Sequence, residues 1–330
     1  MANMLDVLLN LKPHQVSRDL RGYSVMFYGD PKSGKTTIAT KFPKSLLLAF
    51  EKGYSAIPGV MAQPMNKWTE FKSVLTALKD PSMKQMFETI IIDTADIAYD
   101  YCCKYISQQN NVDNITDIGY GKGYGLAENE FDTCLRAIVQ LDYGLVLISH
   151  AEDKTFKDEQ GVEYNQIVPT LDKRARKIAT RLCDIIGYSR AVMDPDTNKL
   201  VTKLFMRGTP RYVAGSRFPY TPDVIDFTYE DLVKAIGDSI DKQMAESGAE
   251  NFTDARNNSY VEKPSLDYDA LMTEFQDIVG GLMAKNQNLY APKIVEITNK
   301  ILGKGKKFSE CTRDQVDLME LVVQEIKTLA

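Results

Sequence analysis

Four short, almost uninterrupted apolar runs punctuate the first half of the chain: Val25-Met26-Phe27-Tyr28, Leu46-Leu47-Leu48-Ala49-Phe50, Thr89-Ile90-Ile91-Ile92 and Leu145-Val146-Leu147-Ile148-Ser149. Each has strand length and none alternates, the pattern of strands covered on both faces in a parallel sheet. Helical spacing fills the intervals at Lys35 to Lys41, Trp68 to Leu78 and Leu126 to Leu141. Alternating strands and helices predict an α/β domain with a mostly parallel sheet.

Past residue 160 the texture changes. Asp172 to Ile186 reads as a helix. Gly187–Val192, Leu200–Arg207 and Arg211–Ala214 read as short strands, separated by the turn signals Asp194-Pro195-Asp196 and Gly208-Thr209-Pro210. They predict an antiparallel extension of the sheet edge. From 241 to 265 the chain is polar and aperiodic, as a linker is. Residues 266–330 return to helical spacing, with Leu271, Phe275, Ile278 and Leu282 on one stripe. A middle helix is expected from Pro292 to Leu302, and a capping box at Thr312 to Gln315 opens a last one. The expected organisation is a nucleotide-binding domain over 1–240, a linker over 241–265 and a three-helix domain over 266–330.

Composition narrows the class. A formal charge of −5 argues against a chain that coats nucleic acid over its whole surface, though a local basic groove remains compatible with it. The five cysteines, Cys102, Cys103, Cys134, Cys183 and Cys311, form no C-x-x-C pair, and two histidines, His14 and His150, are too few for a multi-histidine metal site. The odd cysteine count fits a reducing cytoplasm. No basic leader precedes the first apolar residues and no run reaches membrane-spanning length, so a cytoplasmic protein without a membrane partner is expected.

The most specific signal follows the first apolar run. Gly29, Asp30, Pro31, Lys32, Ser33, Gly34, Lys35 and Thr36 match G-x-x-x-x-G-K-[ST] at every fixed position, with Thr37 next on the helix. Strand before and helix after are the context this phosphate-binding loop requires. Glycines let the backbone wrap phosphate oxygens, and amides point at the anion. Lys35 is expected to neutralise the β- and γ-phosphates, and the Thr36 hydroxyl to ligate Mg²⁺. ATP and Mg²⁺ are therefore the expected ligands.

Three residues end later apolar runs. Asp93 closes the third and has the position of a carboxylate that holds the metal with Thr36; opening the next turn is its alternative role. Glu51 follows the second, where strand ends line the ligand crevice of open α/β sheets, and either polarises water or is a solvated residue before the Lys52-Gly53 turn. His150 closes the fourth and is suited to donate to a γ-phosphate or simply to cap a strand.

Gly29–Thr36, Leu46–Glu51, Ile90–Asp93 and Leu145–His150, in this order, resemble the RecA-like recombinase ATPases, above all the small phage-encoded members described as phage AAA-type ATPases, including Sak-type single-strand annealing proteins. The resemblance covers about residues 20–230. It implies a RecA-like P-loop core, Glu51 as catalytic base, and His150 coupling nucleotide state to a DNA-binding loop. It also implies a homo-oligomer acting with single-stranded DNA in phage recombination or replication, in the host cytoplasm. The glycine loop Gly119–Gly125, with Tyr120, Lys122 and Tyr124, either is a flexible surface loop or uses its aromatic and cationic character to hold single strands. Glu152–Gln166, with Lys154 and Lys157, sits where a second DNA loop is expected. Lys173, Arg174, Arg176, Lys177 and Arg181 form a basic helix, either a solvated face or a phosphate-contacting stripe. Gly215-Ser216-Arg217-Phe218 resembles the K-N-R-F element of RadA-type relatives, which implies that Arg217 reaches a neighbouring subunit's nucleotide; the lysine is missing here, and Arg207 and Arg211 are rivals.

Three functions remain open from the residues alone. One is a DNA-stimulated ATPase. A second is a nucleotide-gated loader with little turnover that tethers a partner, such as a single-strand-binding protein, through residues 266–330. A third is a metabolic P-loop kinase, which needs a substrate pocket and a basic lid.

Overall fold

The computed structural model describes residues 8–256 and 266–329. Its strands are β1 (Val16–Ser17), β2 (Ser24–Gly29), β3 (Ser45–Ala49), β4 (Ala62–Pro64), β5 (Thr89–Asp93) and β6 (Gly144–Lys157). They continue with β7 (Glu163–Pro169), β8 (Ile185–Met193), β9 (Leu200–Phe205), β10 (Gly215–Ser216), β11 (Val224–Asp226) and β12 (Phe252–Thr253). The main sheet runs β11-β9-β8-β2-β6-β5-β3-β4. From β8 to β4 all neighbours are parallel, whereas β9, β10 and β11 add antiparallel edges. One strand, β6, separates the P-loop strand β2 from the Asp93 strand β5.

The four apolar runs are buried as expected, because side chains from both sheet faces enter a core. Met26, Tyr28, Ile90, Ile92, Leu145 and Leu147 pack on one side, under the helices Trp68–Ala77, Ala95–Gln109, Lys122–Gln140 and Lys173–Leu182. Val25, Phe27, Leu47, Ile91, Val146 and Ile148 pack on the other, against Lys35–Ala39 and Tyr229–Ser247.

Several boundaries differ from the sequence expectation. The helix expected through Ile186 stops at Leu182, and Ile185 and Ile186 open β8, since its buried register with β2 outweighs local helical spacing. Arg211–Ala214 forms no strand; β10 follows it instead. The helix Tyr229–Ser247 runs into the segment expected to be linker, because its apolar stripe of Leu232, Ile236 and Ile240 docks on the sheet. β12 then pairs with β1. The rest of that segment, 257–265, lies outside the described residues.

The chain divides into two compact units, 1–261 and 262–330. The second has its own core, including Leu271, Leu282, Ile294, Phe308, Met319 and Val323. Its long helical stretch, Tyr268–Leu302, is broken at Asn286, which adopts φ −164° and ψ 97°. The middle helix therefore starts before Pro292, and Asn286 Oδ1 accepts from Leu289 N at 3.2 Å as its cap. Among the described residues no helix is long and apolar enough to cross a membrane.

Candidate active site

The P-loop leaves β2 at Gly29. A side-chain carbon on this glycine would lie 2.3 Å from the carbonyl oxygen of Ser189 on β8, so close strand approach alone demands glycine here. Lys32 and Gly34 adopt left-handed φ of 63° and 93°, which turns the chain back over the strand end. Ser33 and Ser189 join hydroxyls at 2.9 Å, tying the loop to β8. The helix that follows, Lys35–Ala39, is only five residues long. Loop amides and Lys35, rather than a long helix dipole, therefore supply the field for an anion.

Lys35 is 5 % exposed. Its ammonium donates to the carbonyls of Gly29 at 3.0 Å and Asp30 at 2.7 Å. Burial lowers its pKa, and the charges of Asp93 and Glu51 oppose that shift.

Thr36 Oγ1 donates to Asp93 Oδ2 at 2.7 Å. Asp93 is 1 % exposed, and its Oδ1 is buried without a partner. Burial pushes its pKa up to about 6; Glu51 adds to the rise, and the Thr36 hydrogen bond and Lys35 counter it. An orphaned carboxylate oxygen beside a threonine hydroxyl fits the oxygen donor set that Mg²⁺ shares with phosphates. Gly53 leaves room for it. A side-chain carbon there would lie 3.5 Å from both Thr36 Oγ1 and Asp93 Oδ2, and 3.6 Å from Glu51 Oε1. Among the described residues no group of three or more His, Cys, Asp or Glu gathers as a metal cluster, so the pair Thr36 and Asp93 fits a cation whose other ligands come from phosphate and water.

A pH experiment reports on Asp93 directly. Its folded pKa lies above the unfolded value of 3.8, so the native state holds the extra proton between pH 4 and 6. The ligand-free protein is then expected to lose stability as pH rises through that window, by on the order of 3 kcal/mol. Denaturant unfolding at several pH values checks this, and Asp93→Asn should flatten the slope.

Glu51 is held against the same strand: the amides of Phe50 and Glu51 donate to the Asp93 carbonyl at 2.7 and 3.2 Å. Its Oε2 lies 3.4 Å from His150 Nε2, with both side chains about one third exposed. His150 pairs in register with Gly29, so β6 delivers it beside the first P-loop residue. Sequence reasoning missed the group that fixes it. Asp96 Oδ1 accepts from Ser149 Oγ at 2.7 Å, and its Oδ2 accepts from the His150 amide at 3.2 Å. The His150 carbonyl accepts from Thr170 N at 3.0 Å, which ties this strand end to the start of the basic helix. The one available signal for Asp96 was its place on the first turn after Asp93.

The expected DNA elements take other forms. The glycine loop shrinks to a turn at Gly119–Gly121, because the helix starts at Lys122 with left-handed Gly121 as its cap. Tyr120 stands fully exposed. Arg174 lies 4.8 Å over the ring of Tyr124, in the first turn of the Lys122–Gln140 helix, and 3.7 Å from Glu128 further along it, which joins it to the basic helix. Lys173, Lys177 and Arg181 are exposed along one edge of that helix. Glu152–Gln166 is not a loop: β6 runs on past the sheet and pairs with β7 as a ribbon. Its lysines pair with acids, Lys154 with Glu152 at 2.6 Å and Lys157 with Glu163 at 3.4 Å, which leaves little net positive charge for a nucleic acid.

Arg217, expected to reach a neighbouring subunit's nucleotide, lies apart from the P-loop of its own chain. It pairs with Asp184 at 3.2 Å, and Asp184 accepts from Ser24 N at the start of β2. That is five strand steps from Gly29, roughly 17 Å at ~3.3 Å per residue. Arg207 pairs with Asp223 at 2.5 Å, also outside the P-loop cluster.

The SPbeta prophage-derived uncharacterized protein YorG of Bacillus subtilis (strain 168) is 31% identical over 331 residues, 98% of each chain. The KaiC-like protein PH0186 of Pyrococcus horikoshii OT3 overlaps 60% of this chain and 90% of its own, at 10% identity and a TM-score of 0.35. The family model for an AAA domain matches residues 21–218, which hold the P-loop, Glu51, Asp93 and His150. With a P-loop, a partnering Asp93 and that match over more than half its length, the chain belongs to the AAA-domain family of P-loop ATPases.

Proposed function

We propose that this protein hydrolyses the β–γ bond of ATP and that single-stranded DNA stimulates the reaction, in phage recombination or replication. The observation that carries the catalytic half is the convergence of Glu51 and His150, 3.4 Å apart, on the Thr36–Asp93 pair. Lys35 neutralises phosphate charge in a buried setting, where a charge is worth more than in water. Mg²⁺ held by Thr36 and Asp93 supplies charge compensation on the phosphate oxygens when bound. Glu51 orients the attacking water and accepts its proton, and His150 donates to the γ-phosphate oxygen. Asp96 holds the His150 backbone at the donating position. The likeness to a prophage-derived protein supports the phage setting.

Support for the DNA half is the exposed Tyr120, four residues before the Tyr124 on which Arg174 stacks, and the basic edge of Lys173, Lys177 and Arg181. Aromatic faces beside cations suit unpaired bases and their phosphates. The deciding experiment is steady-state ATP hydrolysis with and without oligothymidylate; turnover indifferent to DNA would refute the DNA half alone. Tyr120→Ala is expected to weaken oligothymidylate binding by about 1–3 kcal/mol, roughly 5- to 150-fold, as read by fluorescence anisotropy.

A second reading, a nucleotide-gated loader, is favoured by the separate core of the C-terminal unit. Deleting 262–330 tests the role of that unit: loss of partner binding with ATPase and DNA binding retained makes it a docking piece, and turnover too slow to respond to DNA in the full chain favours the loader.

A further inference from the structure

The C-terminal unit holds a cleft of about 510 Å³, within the range of ligand sites. The break at Asn286 lets the two halves of the Tyr268–Leu302 stretch lie side by side, and the following loop closes one end. The floor is apolar: Met272 and Phe275 come from the first half, Val295 from the second, and Phe308 from the loop. Val295 is 57% exposed, an open apolar contact at the mouth.

The rim is cationic and built. Lys306 and Lys307 line the cleft, with Lys300 and Lys304 exposed nearby. No ion pair among the described residues engages any of the four. Their loop is fixed by left-handed Gly303 and Gly305, at φ 103° and 81°, and by Gly305 N donating to Asn299 Oδ1 at 2.8 Å. In a chain of net charge −5, this is a concentrated positive patch around an apolar floor.

We infer that the cleft docks an acidic peptide segment of another protein, one that carries an apolar anchor side chain beside its carboxylates. The floor takes the anchor, and the lysines steer and hold the carboxylates. Nucleic acid fits the same lysines less well. Phe275 and Phe308 stack on each other at 3.9 Å, 4° from parallel, so a base cannot enter between the two rings. The inference is independent of the chemistry at the P-loop.

The test uses the full-length protein and a fluorescein-labelled probe of four aspartates followed by phenylalanine, read by anisotropy. Saturable binding is expected, weakened at least about tenfold by the probe's Phe→Ala change, by Lys306→Glu with Lys307→Glu, and by Val295→Asp. These protein changes lie on exposed positions, and far-UV circular dichroism verifies the fold. Weakening by raised salt adds support. Absence of saturable binding, binding indifferent to the lysine reversal, or binding by oligothymidylate that the lysine reversal abolishes while the peptide fails would each overturn the proposal.

Discussion

Glu51→Gln is expected to lower kcat by about 10²–10⁴-fold while ATP affinity stays close to wild type. Glutamine keeps the size of the side chain and an oxygen facing His150, so the 3.4 Å contact survives in altered form and the backbone bonds to the Asp93 carbonyl are untouched. What disappears is the carboxylate that accepts the proton from water. A group needed only in the transition state shows this split between kcat and binding. If Glu51 serves only to hold His150 in place, the variant keeps most of its turnover. If it serves the metal, as Asp93 does, affinity for Mg²⁺ and nucleotide falls together with kcat. Isothermal titration and single-turnover hydrolysis on the same preparation distinguish these outcomes. His150→Gln makes the companion measurement, with a smaller loss expected because it still donates to a phosphate oxygen.

The sheet was legible because burial on both faces writes itself into a strand as an unbroken apolar run. Val25–Tyr28, Leu46–Phe50, Thr89–Ile92 and Leu145–Ser149 all lie in or at the ends of strands that meet in one parallel array. The P-loop was legible because its backbone needs glycine and lysine at fixed spacing. The reason for Gly29 was only half visible: the approach of Ser189, 160 residues on, is a contact that no local pattern encodes. Asp96 and Gly53 escaped for the same reason. One works by holding the ends of another strand, the other by the side chain it lacks. The glycines at 119–125 suggested a longer loop than exists, because Gly123 and Gly125 are taken into a helix whose buried stripe of Ala127, Phe131 and Leu135 outweighs their low propensity. The extended β6–β7 ribbon was hidden by its polar sequence, which a solvent-exposed two-stranded arm permits.

Lys35→Met should cost ATP affinity about 2–5 kcal/mol, roughly 30- to 5,000-fold, the scale for losing one partner of a buried charge pair. The same change is expected to leave the ligand-free fold within about 1 kcal/mol of wild type, and the reason lies in two opposing effects. The ammonium's bonds to the Gly29 and Asp30 carbonyls vanish, which destabilises the loop. Against that, burial disfavours the charge itself, as the lowered pKa records. A lysine with a depressed folded pKa weighs against the native state while charged, below that pKa, and the burden lifts as pH rises through it. Methionine removes the burden at every pH and keeps the apolar stem packed. Thermal melts separate the two sides. Without nucleotide the curves should nearly coincide; at ATP a hundredfold above the wild-type Kd, only the wild type should gain the ~2.7 kcal/mol that ligand linkage supplies. A methionine variant that gains as much from ATP would show that the loop amides alone grip the triphosphate, with Lys35 acting as a strut across its own loop.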